Sequence, residues 1–178
     1  MVKSNANFNH GGVIMYLPFG MDINSLNHIS VNGKDVVSLA EKYGTPLYIM
    51  NEEFIRNNCR SFKKTLDECY ENNRILFASK AFSCMYMYKI LEEEGLGADV
   101  VSGGELYTAL KAGFNPEKLY FHGNCKTDDE LQLAISNNIG RIVADNKEEL
   151  IRIDSFAKAA GKKVKVSFRI KPGIDAHT

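Results

Sequence analysis

From residue 74 onward, short apolar or β-branched runs alternate with segments of helical periodicity. The runs cover residues 75–78, 98–101, 119–121, 141–144 and 164–168, and successive starts lie 21–23 residues apart. Such even spacing predicts a repeated strand–helix unit, and strands joined by crossover helices lie parallel in one sheet. Between the runs, residues 83–94 carry Met87, Ile90 and Leu91 on one stripe and stop at Gly95. Residues 104–112 stop at Gly113. Thr127 with Glu130 three positions on has the form of a capping box, and Asn146 with Glu149 repeats it ahead of a helix over 147–160 that stops at Gly161.

The first 73 residues follow a different pattern. Residues 13–17 and 47–50 predict short strands, and residues 36–43 predict a helix stopped by Gly44. Residues 51–71 predict a longer helix with Phe54, Phe62 and Leu66 facing inward. This part reads as a preface to the repeat. Parallel strands with helices between them form either a closed eight-stranded barrel or an open doubly wound sheet, and spacing alone does not choose. No GxGxxG follows a strand, which weakens a dinucleotide-binding reading. Only five repeats are present, so a barrel here is a partial one.

Composition changes this picture little. The 178 residues are 44% hydrophobic and 25% charged, enough for a real core. Lys plus Arg equal Asp plus Glu at 22 each, which gives no electrostatic case for a nucleic-acid partner. The polar start shows no secretory signal, and no apolar run approaches the length that spans a bilayer, so a cytoplasmic protein is expected. Cys59, Cys69, Cys84 and Cys125 form no CxxC pair and match no zinc spacing. They read as reduced thiols acting as small buried hydrophobes, and no metal site is expected.

The polar residues gather after the strands. Lys80 follows the first strand of the repeat, and Asp99 and Ser102 lie on and after the second. His122, Asn124 and Lys126 follow the third, Asp145 and Asn146 the fourth, and Arg169 and Asp175 the fifth. In both parallel architectures ligands bind at the C-terminal strand ends, so these groups should converge. A lysine directly after an apolar strand can be partly desolvated, which favours a neutral amine that attacks aldehydes. It can equally lay its stem on apolar surface with the ammonium in water. Ser102-Gly103-Gly104-Glu105 can present N–H groups to an anion or simply turn the chain. The segment from His122 to Lys126 can be a plain strand end and turn. Arg169 can clamp an anion or pair with Asp99. His177, alone near the chain end, reads as structural or solvated.

Phe77-Ala78-Ser79-Lys80-Ala81-Phe82 resembles the strand-end lysine motif of the pyridoxal phosphate (PLP) barrel enzymes related to alanine racemase and to the ornithine and diaminopimelate decarboxylases. The stretch from Gly97 to Leu106 is similar to that group's next strand and turn. His122-Gly123-Asn124-Cys125-Lys126 and the segment from Arg169 to Thr178 resemble the diaminopimelate decarboxylase branch, and Gly44-Thr45-Pro46-Leu47-Tyr48 its approach to the barrel. The resemblance runs from about Asn32 to the end. It implies a PLP-binding α/β barrel of the (β/α)8 type built by residues 51–178 in part, with residues 1–50 contributing to a second, β-rich domain. It implies removal of CO2 from the D-centre of meso-2,6-diaminopimelate to give L-lysine, by a homodimer. Lys80 would hold PLP and act in catalysis, Asp99, Arg169 and His122 would bind the cofactor, and Glu105 and Asn124 would support them. The family's cofactor-stacking histidine, glycine-rich phosphate loop, acid partner of the pyridine nitrogen and partner-donated cysteine motif are expected beyond position 178. The chain by itself is therefore expected to be an inactive fragment. Other readings are a PLP barrel decarboxylase for ornithine, arginine or carboxynorspermidine, a barrel that carries PLP without turnover, and a fragment with no ligand.

Overall fold

A computed structural model describes residues 7–10, 13–170 and 172–173. The chain forms two compact units, residues 1–61 and 62–178. In chain order the first contains β1 (Asn7–His10), β2 (Val13–Tyr16), β3 (Met21–Ile23), β4 (Ile29–Val31), β5 (Lys34–Asp35) and α1 (Val36–Tyr43), with α2 (Glu52–Cys69) crossing the boundary. The second contains β6 (Leu76–Ala78), α3 (Met85–Glu93), β7 (Gly97–Val100), α4 (Gly103–Lys111), β8 (Leu119–Phe121), α5 (Asp128–Ser136), β9 (Arg141–Ala144), α6 (Lys147–Ala159) and β10 (Val166–Phe168).

In the first unit β1 and β2 pair antiparallel, and β3, β4 and β5 make an antiparallel sheet in that order. Asp35 ends the sheet and caps α1. Its carboxylate accepts from the Ser38 N–H at 2.7 Å, from the Asn24 amide and from His28 Nδ1 at 2.9 Å. The backbone donor, ahead of the two side chains, holds its pKa down to about 2. Asn51 caps α2 by accepting from the Phe54 N–H at 3.0 Å, and Phe54 stacks on Phe19 with ring centroids 6.1 Å apart.

Two expectations for this region fail. Residues 47–50 form no strand, and Tyr48 is 95% exposed. An extended apolar run becomes a strand only where a neighbour supplies the ladder, and none of the described strands pairs with it. Phe62 and Leu66, expected to face inward, are exposed, while Phe54 is half-buried. Helical periodicity marks a stripe but does not supply the surface that covers it.

The second unit bears out the alternating pattern. Its five strands are parallel in the order β10-β9-β8-β7-β6, the sequential arrangement that right-handed crossovers generate. The glycine stops at Gly44, Gly95, Gly113 and Gly161 all take positive φ. Side chains alternate across the sheet. Ala98, Val100, Leu119, Phe121, Ile142 and Ala144 are buried on the face where α3, α4 and α6 pack. Met87, Ile90 and Leu91 of α3, Leu106 and Ala109 of α4, Leu131 of α5 and Ile153 of α6 complete this core. Full burial of each larger side chain contributes roughly 1.5–3 kcal/mol. The register places Ala78, Asp99, Tyr120 and Arg141 in one row on the opposite face. A core on one face leaves that row free to carry polar groups. No described helix is long and apolar enough to cross a membrane.

Candidate active site at the strand ends

Each segment that leaves the C-terminal end of a strand is fixed by hydrogen bonds that its sequence dictates. After β6 the chain makes a single 3-10 turn, Ser79–Ala81, closed by the Phe82 N–H on the Ser79 carbonyl at 3.1 Å. Ser79 is fully buried while Lys80, its neighbour, is exposed. The partial desolvation considered for Lys80 is therefore not seen. Its strand β6 is an edge of the sheet, so no described strand walls it on that side.

Asp99 lies on β7 in register with Ala78, one residue before the turn that carries Lys80. Its Oδ1 is buried and has no hydrogen-bond partner among the described residues. Burial raises its pKa, and the charges of His122 and Lys80 partly oppose the rise. Asp99, Lys80 and His122 thus lie near enough at the ends of neighbouring strands for the latter two to act on the Asp99 carboxyl. A buried carboxylate oxygen left without a donor among the described residues, near a strand-end lysine, is the kind of site that a ligand group fills.

The turn after β7 resolves in favour of helix capping. Ser102 caps α4 by accepting from the Glu105 N–H at 3.2 Å, and Glu105 Oε2 accepts from the Val101 N–H at 2.8 Å. The Gly103 N–H donates to Glu130 Oε1 at 2.6 Å. Glu130 also completes the predicted capping box of α5, accepting from the Thr127 N–H at 2.9 Å. Glu105 thus supports the strand end.

After β8, the His122 N–H donates to the Val100 carbonyl at 2.8 Å, which keeps this loop in line with β7. Gly123 takes φ +103°, and a Cβ there would stand 2.6 Å from the Val101 carbonyl oxygen. Arg169, after β10, does not pair with Asp99. Its Nη1 donates to Asn124 Oδ1 at 2.7 Å and to Asp145 Oδ1 at 3.3 Å, drawing the ends of β8, β9 and β10 together. The reason is lateral distance: β8 and β9 separate β10 from β7.

Sequence reasoning placed Lys126 at a strand end but missed its partner. Its ammonium is buried against Glu149, at 2.7 Å, where Glu149 had been expected only to complete a capping box. Asn146 does cap α6, accepting from the Glu149 N–H at 2.8 Å, but the Glu149 side chain turns to Lys126 instead. No disulfide joins the four cysteines, and Cys59 is buried, but Cys69 and Cys125 are exposed, against the expectation that all four fill core space. Cys125 sits in a turn at φ +55°, where its side chain leaves the core. Asp175 and His177 lie outside the described residues, as does most of the segment after Arg169.

A cavity of about 530 Å³ opens at the other end of the sheet, lined among others by Arg74, Lys118, Tyr120, Arg141 and Lys165. It lies at the N-terminal strand ends, away from Lys80. Parallel α/β architectures place their chemistry at the opposite ends, so the strand-end residues and not this cavity are the candidate site.

Residues 52–178 match the family model described as pyridoxal-dependent decarboxylase, pyridoxal binding domain. A diaminopimelate decarboxylase of Bacillus methanolicus is 48% identical over 92% of this chain and 38% of its own, and that of Bacillus subtilis (strain 168) is 46% identical over 87% and 35%. The crystal structure of diaminopimelate decarboxylase from M. jannaschii in complex with L-lysine superposes with a TM-score of 0.79 at 38% identity, covering 88% of this chain and 37% of that one. The chain spans less than two fifths of the length of these relatives. The strand-end lysine, the parallel sheet and the match across residues 52–178 agree: the chain belongs to the pyridoxal-dependent decarboxylases, within their pyridoxal binding domain.

Proposed function

We propose that this chain is the N-terminal portion of a diaminopimelate decarboxylase, a PLP-dependent enzyme that converts meso-2,6-diaminopimelate to L-lysine and CO2. The observation that carries the proposal is the placement of an exposed Lys80, a buried Asp99 oxygen without a partner among the described residues, and His122 at the ends of neighbouring strands. Relatives of that name at 48% and 46% identity support the substrate.

The residues present fit the cofactor. Lys80 would hold it through the ε-amine, which its exposed position in the turn after β6 leaves accessible. Asp99, whose Oδ1 lacks a donor among the described residues, would accept from a donor of the cofactor or substrate and favour positive charge there. His122 would stand beside the cofactor near Asp99, and Arg169, held by Asn124 and Asp145, would offer its guanidinium from the end of β10. Glu105 and Asn124 orient these groups without reacting. When bound, PLP supplies the electron sink that accepts the pair left by departing CO2. The protein's part is to fix the amine, hold the carboxylate and exclude competing geometries.

In the full-length protein, residues 51–178 supply the first part of an eight-stranded α/β barrel, and residues 1–50 join a second, β-rich domain. The enzyme works in the cytoplasm as a homodimer, and activity belongs to a chain of the relatives' full length. Release of CO2 from diaminopimelate, ornithine, arginine and alanine by that protein, supplied with PLP, tests the proposal. Release from diaminopimelate alone, abolished by Lys80→Ala, is the expected result. Release from another substrate instead would keep the family and change the specificity, and release from none would overturn the proposal.

A further inference from the structure

Lys126 is a buried cation that the proposed chemistry does not use. Its side chain and that of Glu149 are each 1% exposed. An ammonium has three N–H bonds, and each of these finds an acceptor: Glu149 Oε1 at 2.7 Å, the Gly123 carbonyl at 2.7 Å and the Val143 carbonyl at 2.9 Å. The Phe121 ring centroid lies 5.5 Å from the same nitrogen. The second carboxylate oxygen, Glu149 Oε2, has no partner among the described residues, where Lys126 is the group that compensates this buried charge.

Two apolar side chains would fill this space at lower desolvation cost, because buried ion pairs recover their dehydration poorly. What apolar side chains cannot do is grip two carbonyls. Those carbonyls are well placed. Gly123 directly precedes Asn124, and Val143 lies two residues before Asp145, the two residues to which Arg169 Nη1 donates. Glu149 is in the first turn of α6, whose cap, Asn146, follows Asp145. One ammonium therefore ties the loop after β8 to the end of β9 and to the start of α6.

We infer that Lys126 and Glu149 are a positioning pair. They hold Gly123 and Asn124 against the end of β9, and through Asn124 and Asp145 they set the place of the Arg169 guanidinium at the proposed cofactor site. The consequence for the cofactor rests on the proposed function, while the holding of the loop does not.

The test uses the full-length protein and the double variant Lys126→Met/Glu149→Leu, which removes both charges and keeps the bulk. Three quantities are read: the urea midpoint, amide hydrogen exchange in residues 122–126 and 145–149, and PLP affinity from its visible absorbance. The expected result is a midpoint near the parent's, with faster exchange in both segments and PLP affinity weaker by about tenfold or more, the scale on which groups that orient a binding residue act. Faster exchange supports the pair's role whether or not PLP binds, and a parent that binds no PLP counts against the proposed function instead. Parental exchange in both segments at a parental midpoint overturns the inference, as does a double variant that fails to fold, since the pair would then serve folding itself.

Discussion

Glu130 receives the Gly103 N–H at 2.6 Å across 27 residues of chain, while its other oxygen receives the Thr127 N–H at 2.9 Å. One carboxylate thus joins the N-terminus of α4 to that of α5, each of which favours negative charge. The Thr127 N–H foremost, with the Gly103 N–H, lowers the pKa of Glu130 against the opposing effect of burial. A lowered carboxyl pKa gives stability that is present above the ordinary glutamate value and lost as pH falls through the folded one.

Glu130→Gln should therefore flatten the acid limb of stability. Urea midpoints followed from about pH 6 down to pH 3 should fall more steeply for the parent than for the variant. At neutral pH Glu130→Ala should cost about 1 kcal/mol, less than a buried hydrogen bond to a charged group contributes, because the site is partly solvated. Equal slopes in acid would show that Glu130 contributes nothing as an anion.

Asp99 has the opposite sign. Burial, outweighing the charges of His122 and Lys80, raises its pKa above the ordinary value of 3.8. Stability linked to a raised pKa is complete below the unfolded value and declines as pH rises through the folded one. In the cofactor-free protein, Asp99→Asn should remove that decline, so the variant gains on the parent as pH rises from 3.8 toward neutrality. A variant less stable than the parent at pH 7 would mean that Asp99 has a partner after all.

Gly123 faces two obstacles to any side chain: φ of +103° and the Val101 carbonyl oxygen 2.6 Å from an added Cβ. The obstruction is backbone, so it cannot rotate away. Gly123→Ala should destabilise the protein by about 1–3 kcal/mol, as overpacking does, and should perturb the His122 and Asn124 amides in NMR spectra before others. Unchanged chemical shifts in that loop would contradict this geometry.

The βα repeat was legible in the sequence because burial on one sheet face and capping at each helix start are local signals. Thr127 with Glu130 and Ser83–Glu94 ahead of Gly95 needed only near neighbours to be read. The strand ends were legible for the same reason: Lys80, Asp99 and His122 each lie at or just past the end of a strand. What was hidden depends on distant partners. Residues 47–50 have strand composition but no ladder, and Phe62 has a helical stripe's spacing but no covering surface. Lys126 and Glu149 are 23 residues apart, and each had a sufficient local explanation, one as a strand-end lysine and the other as a capping glutamate. Arg169 meets Asp145 and not Asp99 because strand order, which composition does not encode, decides which carboxylate is near.

The central claim is that Lys80 carries the cofactor. The most direct measurement is to load the full-length protein with PLP, reduce it with borohydride, digest it and locate the pyridoxyl group by mass spectrometry. A pyridoxyl group on Lys80, and no lasting label in Lys80→Ala, is the predicted result. A label on another lysine, or equal labelling of the Lys80→Ala variant, would contradict it.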